Sequence, residues 1–275
     1  MTWFVNYTLD TSIAPADRGL AYGDGVFETM HANQNGFIRL SSHLARLYKG
    51  LEKLLMPFDA EQKEQLSYFL HTILPDYLDS DAVVKIIVTR GQGGRGYQPP
   101  QTVTHTIIIG ILPFPDYQAE SRQGVGVSLS PIPVNANPYL AGIKHLNRLE
   151  HVIAKQHLAL NDFEAIMLDS QGNVIEGIQS NVFWFKGGCL CTPALDHAGV
   201  EGTYRQAILA EMATQTTLIE SFTANHLLAA DEVFMANSLM KIVPVVRIDR
   251  QTFAIGPKTK KLQSLMQAKE MHGIH

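Results

Sequence analysis

Apolar and polar positions alternate early in the chain, then change period. The stretch 2–8 (TWFVNYT) predicts a strand. Residues 26–33 (VFETMHAN) and 37–40 (FIRL), joined by Gln34-Asn35-Gly36, predict a hairpin around an Asn-Gly turn. From Ser41-Ser42 the pattern becomes helical, with Leu44, Leu47, Leu51, Leu54 and Leu55 spaced by three and four. A second helix is predicted over 60–74. The β-branched runs 82–90 and 103–112 predict two long strands.

Pro113-Phe114-Pro115-Asp116-Tyr117-Gln118 interrupts this pattern, because two prolines two apart stop any element. Beyond it the chain predicts strands at 125–130, 163–169, 173–185, 216–220, 231–237 and 242–248. Helices are predicted at 148–160, 203–213 and 258–270. Both halves mix strands and helices. The expectation is an α/β (mixed) fold of two domains, 1–113 and 119–275.

Composition narrows the function. The chain has 275 residues; Lys plus Arg is 22 and Asp plus Glu is 26, giving 22 − 26 = −4. That length buries full cores without staples. A mildly acidic chain with no basic run lacks the clustered cations that nucleic acid or an anionic membrane requires. No apolar stretch reaches the roughly 18 residues of a membrane span, and the first residues carry no signal-peptide pattern. The expectation is a cytoplasmic protein acting on a small molecule. Cys189 and Cys191, two apart in an apparent strand, predict free thiols, and two thiols without a second pair make no zinc site.

Several segments could carry chemistry. Gly91 to Gly96 (GQGGRG) matches a dinucleotide fingerprint, but Tyr97-Gln98-Pro99-Pro100 follows where a helix would have to open. Two readings remain: a long hairpin connection, or a mobile loop presenting Arg95 to an anion. His43 and Arg46 share a helix face, and a guanidinium fork fits a phosphate; ordinary surface residues would fit equally. Lys144 stands before a helix whose start is predicted near Arg148 by an Asn147/Glu150 capping box. It is either an exposed lysine or a desolvated amine suited to Schiff-base chemistry. Glu176 sits in an apolar run and is either an edge carboxylate or a buried one awaiting a cation. Gly202-Thr203-Tyr204-Arg205 opens a helix whose N–H groups could meet an anion.

Taken in order, these residues resemble the fold type IV pyridoxal-phosphate enzymes. The group includes branched-chain and D-amino acid aminotransferases and aminodeoxychorismate lyases. The resemblance rests on Arg18 to Thr29 (RGLAYGDGVFET), His43-Leu44-Ala45-Arg46, Lys144, Glu176 with Asn181, Gly202 to Arg205, and Ala236-Asn237-Ser238. Residues 141–150 (AGIKHLNRLE) and 90–97 (RGQGGRGY) are similar to the lyases. Aminotransferases of the group carry tyrosine where Arg148 stands, and no Arg-x-His pair lies in 85–110.

The resemblance implies a two-domain fold type IV architecture and a homodimer. It implies pyridoxal 5'-phosphate on Lys144, which also serves as the base, with Glu176 on the ring nitrogen. Arg46, Ser180, Asn181, Thr203, Tyr204 and Ser238 complete the cofactor set. Phe27, Thr29, Arg95 and Arg148 would meet substrate. The implied reaction turns 4-amino-4-deoxychorismate into 4-aminobenzoate and pyruvate, a step toward folate, with an aminotransferase as the alternative.

Overall fold

The structure, a computed structural model, describes residues 1–272. The chain divides into two compact units. Among the described residues, one holds Met1–Pro115 and Ile143–Asn147; the other holds Asp116–Gly142 and 148–272.

The first unit is built on a six-stranded sheet. Its elements are β1 (Thr2–Val5), β2 (Thr8–Leu9), α1 (Arg18–Tyr22), β3 (Gly25–Asn33), β4 (Gly36–Phe37), α2 (Leu40–Lys53), α3 (Ala60–Tyr68), β5 (Ala82–Thr89) and β6 (Thr106–Pro113). The sheet order is β2-β1-β6-β5-β3-β4, antiparallel throughout. The strand expected over 2–8 breaks in two. Asn6 and Tyr7 both take positive φ, 49° and 68°, which is the two-residue hairpin conformation. The β3–β4 hairpin pairs Asn33 with Gly36, so its turn is Gln34-Asn35. The helix expected over 60–74 loosens into a π-turn at Phe69–Ile73 and a 3₁₀ turn at Leu74–Tyr77. Leu47 and Leu51 of α2 and Leu66 of α3 pack on Met30, Val84, Ile86 and Ile109 of the sheet.

The second unit comprises α4 (Gln118–Gln123), β7 (Val125–Leu129), α5 (Leu149–Gln156), β8 (Glu164–Leu168), β9 (Val174–Gly177), β10 (Asn181–Lys186), β11 (Cys189–Pro193), α6 (Thr203–Glu211), β12 (Thr217–Glu220), α7 (Ala224–Leu228), β13 (Glu232–Asn237), β14 (Lys241–Ile248), β15 (Gln251–Thr252) and α8 (Pro257–His272). Its sheet runs β12-β11-β10-β13-β14-β7-β8-β9, with β15 on β14. The central strand β10 is buried on both faces. Val182 and Trp184 join one apolar cluster, while Phe183 and Phe185 join another with Tyr204, Ile208 and Leu262 from α6 and α8. The single strand expected over 173–185 is two strands, interrupted by Ile178-Gln179-Ser180. Both cysteines are free thiols.

The capping box expected at Asn147/Glu150 does not form. Arg148 is the N-cap of α5, with no side-chain cap bond. Asn147 Nδ2 donates instead to the Gly23 carbonyl at 3.0 Å, and Glu150 Oε2 accepts from Asn135 N at 3.1 Å. These long-range partners outcompete the local motif. Among the described residues no helix is long and apolar enough to cross a membrane.

Candidate active site

In the first unit, β3 sorts its side chains by parity. Val26, Glu28, Met30 and Ala32 are buried, while Phe27, Thr29, His31 and Asn33 are half-buried. Residues 144–146 lie along this strand: Phe27 N donates to Lys144 O at 2.9 Å, and Leu146 N donates to Gly25 O at 3.0 Å. These bonds hold Lys144, half-buried, with Nζ 4.5 Å from the Phe27 ring centroid. They also explain why 143–147, inside the span expected for the second domain, belong to the first unit. Lys85 of β5 stands opposite Thr29 and places its Nζ 5.4 Å from the same ring. Sequence reasoning overlooked Lys85, although its place in an otherwise apolar strand was a signal.

Glu28 was also overlooked. It lies in the core-facing row and is fully buried. Arg46 of α2 forks it, Nε to Oε1 at 2.7 Å and a terminal nitrogen to Oε2 at 2.6 Å; His43 Nδ1 donates to Oε2 at 2.7 Å. Burial alone would raise the Glu28 pKa. The Arg46 charge and hydrogen bonds, then His43, reverse this and hold it at about 2. Burial lowers the His43 pKa despite Glu28, so a neutral imidazole donates. The shared helix face expected of His43 and Arg46 is real, and two of the Arg46 donors are spent on Glu28.

The glycine loop opens no helix. Arg18 binds the carbonyls of Gly96 at 3.0 Å and Tyr97 at 3.3 Å, and its Nε donates to Asp24 at 2.8 Å. Arg90 donates to the same Asp24 oxygen at 2.8 Å. Arg95 is exposed on this loop.

In the second unit, Glu176 of β9 is 3 % exposed. Its Oε1 accepts from His151 Nε2 at 3.1 Å, and its Oε2 accepts from Val200 N at 2.8 Å. Burial pushes its pKa up, but His151, the Arg148 charge and Val200 N outweigh burial and hold it below the usual range. Glu164 of β8 behaves oppositely. It accepts from Gln179 N and from Ser180 Oγ, and burial still raises it to about 7. Ser180, expected at the cofactor, therefore directs its hydroxyl proton to Glu164.

Asn181 Nδ2 donates to Val200 O at 2.9 Å, tying β10 to the segment that supports Glu176. Gly202 caps α6; a Cβ there would overlap Asn181 Oδ1 and push that amide aside. Thr203 and Tyr204 are buried in the first turn of α6, which carries no acidic residue. Ser238 follows β13 in a turn organised by Asn237, whose Oδ1 accepts from Leu239 N and Met240 N at 2.9 Å each. The structure thus gathers Phe27, Thr29, Arg46 and Lys144 in one unit, and Arg148, Glu176, Asn181, Thr203 and Tyr204 in the other. Among the described residues no His, Cys, Asp or Glu cluster is placed to hold a metal ion.

The chain is similar to an aminodeoxychorismate lyase of Vibrio harveyi, 34% identical over 271 residues, covering 96% of this chain and 98% of that protein. It is 32% identical to a D-alanine aminotransferase of Bacillus licheniformis, covering 91% and 89%. The crystal structure of 4-amino-4-deoxychorismate lyase from Pseudomonas aeruginosa superposes with a TM-score of 0.92 at 35% identity, covering 97% of this chain and 98% of that one. The amino-transferase class IV family model matches residues 25–248, across β3 to β14, and the chain belongs to that family.

Proposed function

We propose that this protein is a pyridoxal-phosphate-dependent lyase that converts 4-amino-4-deoxychorismate to 4-aminobenzoate and pyruvate. Such a cofactor needs a lysine, an ionised carboxylate for its ring nitrogen, and donors for its phosphate. The residues fit. Lys144 is held by β3 beside Phe27. Glu176 accepts two hydrogen bonds where an ionised carboxylate has about four lone-pair sites. The glycine-capped first turn of α6, free of acidic residues, suits a phosphate. Thr203, Tyr204, Arg46, Asn181 and Ser238 would hold that phosphate end, and Glu176 the ring nitrogen. When bound, the cofactor supplies an electron sink.

Lys144 Nζ, neutral, removes the proton from the ring carbon bearing the amino group. The ether C–O bond at the adjacent carbon breaks, its electron pair leaves with enolpyruvate, which takes up a proton to become pyruvate, and the ring is left aromatic, which drives the step. The substrate carries two carboxylates, and the single observation that carries this reading is the pair of lysine amines at Phe27. Lys144 supplies the base, and Lys85 supplies a cation for a carboxylate. Thr29 shares their side of β3, and Arg95 and Arg148 add charge for the second carboxylate. The identity to the Vibrio and Pseudomonas lyases over nearly the whole of both chains supports the same reading. The protein works in the cytoplasm as a homodimer.

The alternative, an aminotransferase, has the Bacillus relative in its favour; Arg148, where that group carries tyrosine, speaks against it. A coupled pyruvate assay with and without 2-oxoglutarate separates them. One pyruvate per 4-aminobenzoate without any keto acid is expected. Product that appears only when a keto acid and an amino acid are both supplied would establish the aminotransferase instead.

A further inference from the structure

A carboxyl as buried as Glu176 ordinarily takes up a proton. The means of preventing this come largely from α5. His151 follows Arg148 by three residues, so the two share a helix face. His151 acts on Glu176 through a hydrogen bond from Nε2 and through its charge, and Arg148 through its charge. His151 is itself buried, and its other ring nitrogen, Nδ1, has no hydrogen-bond partner among the described residues.

The bond fixes which ring nitrogen donates. An ionised carboxylate can only accept, so Nε2 carries the proton. Donation from Nε2 steadies the ionised carboxylate. Glu164, the other carboxylate in electrostatic reach, takes up its proton near neutrality and so limits its repulsion of Glu176.

We propose that His151 is a positioning residue whose Nε2–H holds Glu176 Oε1 and keeps that carboxylate available to the ring nitrogen of pyridoxal phosphate. This rests on the reading of Glu176 as the partner of that nitrogen. Two substitutions dissect the imidazole. Gln places an N–H near the position of Nε2, whereas Asn reproduces only the Nδ1 half of the ring and falls short of Oε1.

The test reconstitutes wild type, His151→Gln, His151→Asn and Glu176→Gln with ¹⁵N-labelled pyridoxal phosphate and follows the ring-nitrogen chemical shift from pH 6 to 9. Wild type and His151→Gln should share the protonated signal. His151→Asn should move toward the unprotonated one, with kcat down at least tenfold and KM within twofold. An Asn variant indistinguishable from wild type overturns the proposal. So does a Gln variant as impaired as Asn, since packing rather than donation would then be at work. If the Asn variant does not fold, the Gln comparison still decides. Glu176→Gln tests the reading beneath: an unchanged signal there removes Glu176 from the ring nitrogen. A changed signal there, with His151→Asn unchanged, removes His151 alone.

Discussion

Glu28 and Glu164 are both fully buried glutamates on strands, yet their surroundings drive them apart. Glu28 meets a guanidinium fork and stays ionised; for Glu164 burial outweighs a backbone N–H, a hydroxyl and the Lys155 charge and raises it to about 7. An acid whose folded pKa lies above its unfolded value of 4.5 binds its proton more tightly when folded. Its stabilisation is present below that unfolded value and is lost as pH rises through about 7. At pH 8 the ionised, buried carboxylate costs the fold up to about 3 kcal/mol. Glu164→Gln removes this cost and keeps an acceptor for Gln179 N. Thermal unfolding should show a higher Tm than wild type at pH 8 and a much smaller gain at pH 5. A Tm difference that does not depend on pH would show that Glu164 does not titrate in that range. At this scale the sequence was half legible. Lys144, Glu176 and the His43/Arg46 face stood out by type and spacing. Glu28, Lys85 and His151 did not, because their importance lies in partners 15 to 25 residues away or on a neighbouring strand. Parity along β3 did place Glu28 on the apolar face, and a charge there signals a buried counter-ion.

β6 carries a glycine in mid-strand, where propensity favours almost anything else. Gly110 pairs with Trp3 of β1 and Lys85 of β5, and a Cβ on it would overlap the Trp3 indole. The ring covers the glycine in place of a side chain. Gly110→Ala should therefore lower stability, by about 1–2 kcal/mol, despite the better strand propensity of alanine. Urea unfolding checks this, and a stabilised variant would mean that the indole moves aside without cost. The long strands β3, β5 and β6 and helices α2, α6 and α8 were legible because each spans enough periods for its pattern to show. α1, α4 and α7, of five or six residues, are too short for a period, and α4 sits beside the Pro-rich stretch that reads as linker. The Asn147/Glu150 signal was a genuine local preference overruled by tertiary partners, and no reading of neighbours alone would have found Gly23 or Asn135.

At the scale of the molecule, the first unit leaves large apolar side chains in solvent. Tyr97 on the glycine loop is 89 % exposed and Leu20 of α1 is 70 % exposed. Tyr97 is tied to α1. The Arg18 guanidinium lies 4.9 Å from the Tyr22 ring centroid, the Tyr22 and Tyr97 rings are 5.6 Å apart, and Arg18 also binds the loop carbonyls. A loop of this composition would be mobile if it served only as a connection. Ordering it while exposing its tyrosine costs conformational entropy that a monomer does not recover. Ordered exposed apolar surface marks an interaction site, and a self-complementary patch is the usual basis of a two-fold dimer. Sedimentation equilibrium should therefore return twice 30.5 kDa, about 61 kDa. The double variant Leu20→Glu, Tyr97→Glu buries charge in such an interface and should shift the mass toward 30.5 kDa with an unchanged far-ultraviolet circular dichroism spectrum. A double variant that stays dimeric would place the interface elsewhere, and a wild type of monomer mass would remove the homodimer altogether. Arg95 sits two residues before Tyr97 on the same loop, so on the proposed reading loss of the dimer should also raise KM for the proposed dicarboxylate substrate.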